Sequence, residues 1–330
     1  MDGNLPDSGY TSPVVPVGSP LVRERYPRGV AVDAAGFPDW TPYARALVRL
    51  PEPPPGLTVD ELRVVDVLAA NAVRSPADAA VRGTPAGWTW AHLGATRGMA
   101  LVPVELHAAF RHPGGRCTLP ADRTERGLRI DYAPEPVGVA QAERVPEEVV
   151  VELERHLGFP LPPGYRRFLA ATNGAAPDRP GVQRGFGFLV DQRFFGLGRD
   201  DYAQDLIGAN RYVADRFTED VLAIGYVQGG TIAVTVRGPD ADAVWYWDDD
   251  DPRAEPGHDA AYITEHLLYR CADTVAQFWE RLAVPAVELR EIAAGLVRSG
   301  QVTAIPADGL GAWLPASPAS PASPAAEAAT

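Results

Sequence analysis

The chain has 330 residues, enough for two domains, and its 46% apolar and 22% charged content belongs to a globular protein and not to a disordered one. Two cysteines, Cys117 and Cys271, exclude a secreted disulfide framework; no apolar run approaches the ~18 residues that span a bilayer, and the opening MDGNLPDSGY lacks the regions of a signal peptide, so a cytoplasmic location without a membrane partner is expected. The net charge of −13 is uneven: residues 1–120 carry 11 Arg and 11 acids, residues 121–330 carry 19 Arg and 32 acids, and that second part would repel nucleic acid and attract a basic protein.

Residues 1–22, rich in Pro, Gly and Ser, read as a flexible lead-in. Residues 23–50 mix short apolar runs with turns at Pro27, Gly29, Gly36 and Pro38, and the prolines of 51–55 make a loop. Leu62, Val65, Ala69 and Val73 recur at helical spacing and predict a helix over 60–73. Residues 88–115 predict a strand pair leading into a short helix that carries His107 and His112, with Trp88, Trp90 and Phe110 in the core. Residues 117–144, with Pro120, Pro134 and Pro136, read as a polar linker at a domain boundary.

After the linker, Pro146 followed by Glu147 and Glu148 starts a helix. Val149, Val150, Leu153 and Leu157 form its apolar stripe, and Gly158 ends it. A second helix begins near Pro163, turns Tyr165, Phe168 and Leu169 inward and stops at Asn173-Gly174. A strand over 186–190 and a helix over 202–217 follow. Strands over 222–227 and 231–236 form a hairpin that turns at Gly229-Gly230, with a third strand over 244–247. Residues 273–282 predict a helix burying Val275, Phe278, Trp279 and Leu282, and 287–297 a last short helix within a connecting segment, 284–313. Helices, then antiparallel strands, then a helix predict an α+β class. The Ala-Ser-Pro repeats of 314–330 cannot build a core and are expected to be disordered.

Three of the six histidines fall close together at His92, His107 and His112. Neutral imidazoles at such spacing suit Zn, Ni or Cu, and a free histidine beside such an ion can activate water. The same spacing also fits polar surface residues. In the second half, residues 145–282 hold no nucleophile–base pair, no phosphate-binding glycine loop and no metal-spaced cluster. Their one charged cluster is Asp248, Asp249, Asp250 and Asp251, whose spacing departs from a calcium loop. It reads either as a solvated turn or as an acidic patch that steers a basic partner.

Thr89, Trp90, Ala91 and His92, then Met99, Leu101, Val102 and Pro103, then Leu106-His107, then His112, Gly114 and Gly115 resemble the WHH type of the HNH/endonuclease VII nuclease superfamily. Tyr26-Pro27-Arg28-Gly29-Val30, Gly36-Phe37-Pro38-Asp39-Trp40, and Asp66 with Ala70-Asn71 extend the resemblance upstream, over residues 23–116. It implies a small ββα-metal domain in which His92 is the general base and His107 and His112 are metal ligands. The first histidine of the family's pair, which the resemblance makes the third ligand, is Ala91 here, and a methyl group cannot coordinate. The expectation is therefore a nuclease-like domain without its chemistry; Zn, Ni or Mg would be its cofactor only if the site were active.

Leu153 with Leu157-Gly158, Leu161-Pro162-Pro163-Gly164-Tyr165, Phe168-Leu169, Asn173-Gly174, Leu222-Ala223-Ile224-Gly225 and Val244-Trp245-Tyr246-Trp247-Asp248 resemble the SUKH superfamily of SMI/KNR-type α+β modules, over 145–283. That resemblance implies an immunity-like binding module whose partner is a basic protein toxin, itself a nuclease. The chain is thus expected to be a non-catalytic binding protein of toxin–immunity type, with Asp248, Asp249, Asp250 and Asp251 facing the partner. The alternative is a metal-dependent endonuclease toxin fused to its own immunity-like domain, and only then would nucleic acid be a partner.

Overall fold

In a computed structural model of the chain, the described residues are 14–15, 19–34, 36–74, 83–94, 96–110, 132–140, 142–186, 188–249, 251, 253 and 258–315. Several expectations fall outside them: most of the lead-in over 1–22, His112 as a metal ligand, the linker up to residue 131, Asp250 in the acidic cluster, and the Ala/Ser/Pro tail from residue 316.

Helix α1 (Pro20–Arg25) and strand β1 (Ala46–Arg49) lead to helix α2 (Val59–Arg74), which starts one residue earlier than its periodicity suggests. A capping box sets that start: Glu61 N donates to Thr58 Oγ1, and Thr58 N donates to Glu61 Oε2. The expected strand pair is β2 (Trp88–His92) and β3 (Gly98–Pro103), and the short helix is α3 (Val104–Ala109). β3 pairs antiparallel with both β1 and β2.

Side chains alternate across these strands, so the sheet has two buried faces. Val48, Trp90, Met99 and Leu101 pack on the face covered by Val64 and Val65 of α2. Leu47, Ala91, Ala100 and Val102 pack on the other, against Trp40 and against Leu106 and Ala109 of α3.

The stretch read as a polar linker contains strand β4 (Tyr132–Pro136). Beyond it come α4 (Glu147–Leu157) and α5 (Pro163–Thr172), ended by left-handed Gly158 and Asn173. The N-terminal amides of α5 are capped from far along the chain, with Gly164 N and Tyr165 N donating to Asp242 at 2.7 and 2.8 Å. Strands β5 (Gly181–Gln183) and β6 (Leu189–Val190) precede α6 (Leu206–Tyr212). The helix expected over 202–217 is this shorter one, because Asp205 caps it by accepting from Ile207 N and Gly208 N. The hairpin is β7 (Val221–Val227) and β8 (Gly230–Thr235), followed by β9 (Val244–Asp248), α7 (Ala260–His266) and β10 (Leu268–Ala272). Helix α8 (Val275–Glu280) gives way to strand β11 (Leu282–Pro285), so Leu282 is buried from a strand and not from a helix.

β7 to β10 form one sheet in sequence order, and β6, β5, β11 and β4 form another. Together with their helices they enclose an aromatic core in which Phe188 stacks on Tyr246 at 4.3 Å. Helices and antiparallel sheets make the class α+β, as expected. Among the described residues no helix is long and apolar enough to cross a membrane.

The last segment returns to the first sheet. Helix α9 (Val287–Arg298) lays Leu289 and Ala293 in the same cluster as Val64 and Val65 of α2. Strand β12 (Thr303–Ala304) adds to the sheet edge, with Thr303 opposite Arg49 and Ala304 opposite Val48. Trp313 then meets Tyr43 edge-on at 5.7 Å. The connecting segment of the sequence reading thus completes the first domain's core. With α9 on one side and the sheet on the other, α2 is buried almost all round, from Leu62 to Asn71. Leu289→Ala should destabilise the chain by about 2–5 kcal/mol in urea titration. The exposed Arg298→Ala should leave the midpoint unchanged, and equal midpoints for the two variants would contradict this packing.

Candidate functional site

Strand β2 carries the residues that point to chemistry, and its alternation separates them. Ala91 faces α3 and is only 3% exposed, in an apolar cluster with Trp40, Leu106 and Phe110. His92 points the other way, to α2, where its Nε2 lies 3.0 Å from Asp66 Oδ2. Arg97 holds the same carboxylate with both terminal nitrogens, each at 2.9 Å, and donates its Nε to Pro51 O. His92 is 8% exposed and Asp66 1%. Arg97 was not singled out in the sequence; nothing in its position announces a fork onto Asp66.

His107 sits on α3, under the opposite face. Its ring lies 5.5 Å from that of Trp40. Its Nδ1 is 3.6 Å from Asp249 Oδ2, and the two side chains are 11% and 12% exposed. The structure therefore brings His107 to one of the expected acidic residues and gives His92 a different set of partners. Among the described residues no group of three His, Cys, Asp or Glu could hold a metal ion.

Asp248, Asp249 and Asp251 are turned inward, which corrects the expectation of an outward patch. Asp248 is buried at the end of β9, and Asp249 leans on His107. Asp251 is buried under Arg253, whose side chain donates to both carboxylate oxygens at 3.1 and 2.8 Å, and Tyr269 OH donates at 2.8 Å. Carboxylates at this depth persist because they are paired, here by Arg253 within the turn and by Tyr269 and His107 from outside it.

A buried polar junction joins β2 to the rest of the molecule. Trp90 Nε1 donates to Asn71 Oδ1 at 2.9 Å, and Asn71 Nδ2 donates to Asp191 Oδ2 at 3.2 Å. Thr84 donates to the same oxygen from N at 2.9 Å and from Oγ1 at 2.6 Å. Gln228 spans the junction: its Nε2 donates to Thr84 Oγ1 and Asp191 Oδ1, while its Oε1 accepts from Thr89 Oγ1 and Trp90 N. Burial pushes the Asp191 carboxyl up, and the donors from Thr84, Gln228 and Asn71 pull it back.

A second junction centres on Glu105 of α3. Tyr26 OH donates to it, and Arg25 stands 3.3 Å away while also reaching Asp201 and Tyr212. Burial raises the Glu105 carboxyl, and Arg25 opposes that rise.

Comparison with known families accounts for both halves of this arrangement. Residues 82–122 match a family model described as a nuclease of the HNH/ENDO VII superfamily with conserved WHH. Residues 144–281 match that of the SMI1 / KNR4 family (SUKH-1). The chain carries a WHH-type nuclease domain and a SUKH-1 domain. No curated protein matches it. The WHH match is shorter than the resemblance read over 23–116; α2 and β1 lie before it, and pairing of β1 with β3 joins them to it. The Asp191–Gln228 junction thus runs between the WHH-type strand β2 and the SUKH-1 domain. Neither Asp191 nor Gln228 carries a motif; only the adjacent Gly229-Gly230 turn is visible in the sequence.

Gln228→Ala would strip Thr89 and Trp90 N of their buried acceptor and leave Thr84 and Asp191 short of a donor. It should cost about 1–3 kcal/mol in urea or thermal unfolding. A change within ~0.5 kcal/mol, the range of an ordinary surface substitution, would show that the junction carries no stability.

Proposed function

We propose that this chain is a non-catalytic binding protein of toxin–immunity type, in which the SUKH-1 domain engages a nuclease-type domain and the WHH-type domain does not cleave nucleic acid. Ala91 carries this reading. An open catalytic metal site keeps three protein ligands and leaves the next position for water or substrate. Here one of the three positions implied by the resemblance is a methyl group sealed in an apolar cluster, where no water can stand in for it. His107 and His112 alone make a poor site. The first 120 residues also lack the positive balance that phosphate contacts need, with 11 Arg against 11 acids. A basic, nuclease-type toxin is the outside partner that suits the acidic second half, through outward acids such as Glu152 and Glu219 and not through Asp248, Asp249 and Asp251.

One observation favours the alternative of a working metal-dependent endonuclease held beside its own immunity-type domain. Asp66 stands at His92 as an orienting carboxylate stands behind a general base. Against it, Arg97 already occupies both oxygens of Asp66, and His92 is nearly closed to solvent.

Plasmid DNA incubated with the full chain and Mg²⁺, Ni²⁺ or Zn²⁺ decides between the two. No nicking above a metal-only control is expected. Nicking that vanishes in His92→Ala would overturn the non-catalytic reading in favour of the endonuclease.

A further inference from the structure

We propose that the cavity between α4 and α6 is a binding site for a small amphipathic carboxylic acid, whose ring or branched alkyl group fills the apolar floor and whose carboxylate is held at the mouth by Arg211 and His156. The cavity lies wholly within the SUKH-1 domain. The inference is independent of the toxin–immunity reading, since neither the WHH-type domain nor a protein partner enters it.

Two helices and one strand build the cavity, which measures about 240 Å³. Leu153 and Leu157 of α4, Leu206 and Ile207 of α6 and Leu222 of β7 give it an apolar lining. Leu153, Leu206 and Leu222 are buried and form the floor, while Leu157 and Ile207 are half-buried. Helical spacing sets the arrangement. Residues 153, 156 and 157 share one face of α4, and 207, 210, 211 and 214 share one face of α6 and the turn after it. Asn210 holds the wall in place. Its Nδ2 donates to Leu206 O and to Ala223 O, and its Oδ1 accepts from Ala223 N, each at 2.8 Å. That ties α6 to β7 and spends both amide protons, so the cavity keeps its width and Asn210 has no donor left for a ligand.

Size and charge select the occupant. An apolar cavity of about 150 Å³ takes benzene, and pockets for drug-sized ligands start at about 300 Å³. The volume here lies between the two, which leaves room for one ring or one branched alkyl group with a short tail. The mouth is basic. Arg211 and His156 stand exposed there, and no acid lines the cavity. Arg211 Nη1 donates to Tyr202 OH at 2.9 Å, and among the described residues neither Arg211 nor His156 meets a carboxylate. That sets Arg211 apart from Arg155, Arg166, Arg237 and Arg270 of the same domain, each paired with an acid. A guanidinium fork matches a carboxylate with two parallel hydrogen bonds, and an imidazole N–H can donate to the same group. A neutral apolar molecule would use the floor and leave the fork idle, so the charge favours acids.

The test is a calorimetric titration of the full chain with hydrocinnamate and with isocaproate, one carrying a ring and the other a branched alkyl group. Saturable one-to-one binding of at least one acid is expected. The matching amide, which keeps the shape and lacks the charge, should bind at least about tenfold more weakly. Arg211→Gln should weaken the acid at least about tenfold and the amide little. Ala214→Phe, which grows into the cavity from an exposed position, should abolish binding of the acid. Unchanged melting shows that each variant keeps the fold, and Arg211→Gln decides alone if Ala214→Phe does not fold. The proposal is overturned if neither acid binds saturably, or if Arg211→Gln or a folded Ala214→Phe binds like wild type. It is equally overturned if the amides bind as tightly as the acids, the pattern of a pocket for an apolar side chain of a partner protein. Plasmid nicking by wild type would sink the non-catalytic reading and leave this one standing.

Discussion

Gln228 stands at the point where the two halves of the molecule depend on one another. Its amide offers one donor group and one acceptor, and both are spent across a buried junction on Thr84, Asp191, Thr89 and the backbone of Trp90. A buried amide with unmet partners costs more than the bond is worth when made. The WHH-type strand can therefore take no other register or tilt against the SUKH-1 domain without orphaning several groups at once. Trp90 is fixed from both ends, by its backbone amide on Gln228 and its indole on Asn71. Ala91 and His92 are consequently held in set directions, one to each face of the sheet.

That fixed strand bears on position 91, which the WHH resemblance makes a ligand position. On a mobile loop, a neighbouring side chain could swing in to replace a lost ligand. Here position 91 lies between Trp90, pinned to Asn71, and His92, paired with Asp66, and its methyl group is packed against Trp40 and Phe110. Close-packed interiors do not leave room for a substitute. Asp249 meets His107, on the helix that faces position 91.

The chain path reinforces the junction. Residues after the SUKH-1 domain return as α9 and β12 to cover α2 and extend the first sheet, so the nuclease-type domain draws its core from both ends of the chain. The SUKH-1 domain lies between those two contributions in sequence. The pair cannot be parted by one cut without exposing Val64 and Val65 on one side or Leu289 and Ala293 on the other. The WHH-type domain and the SUKH-1 domain are here one interlocked body.

Much of this was legible in local pattern. The helix periodicity of α2 and α4, the glycine and asparagine stops at Gly158 and Asn173, the Gly229-Gly230 hairpin and the strand pair of β2 and β3 are all set by residues a few positions apart. So is the alanine at position 91, where the WHH motif has a histidine. The sequence by itself thus determined most of the longer helices, the two hairpins, the α+β class, the two family likenesses and the alanine at position 91. Only the tertiary structure decided that Asp248 and Asp251 turn inward, that Asp249 reaches His107, that Asp242 caps α5, that 132–136 is a strand and that the last helix belongs to the first domain. Each of these is a contact between residues far apart in the chain. No local period encodes such a pairing, and burial can reward it only once the intervening chain has folded.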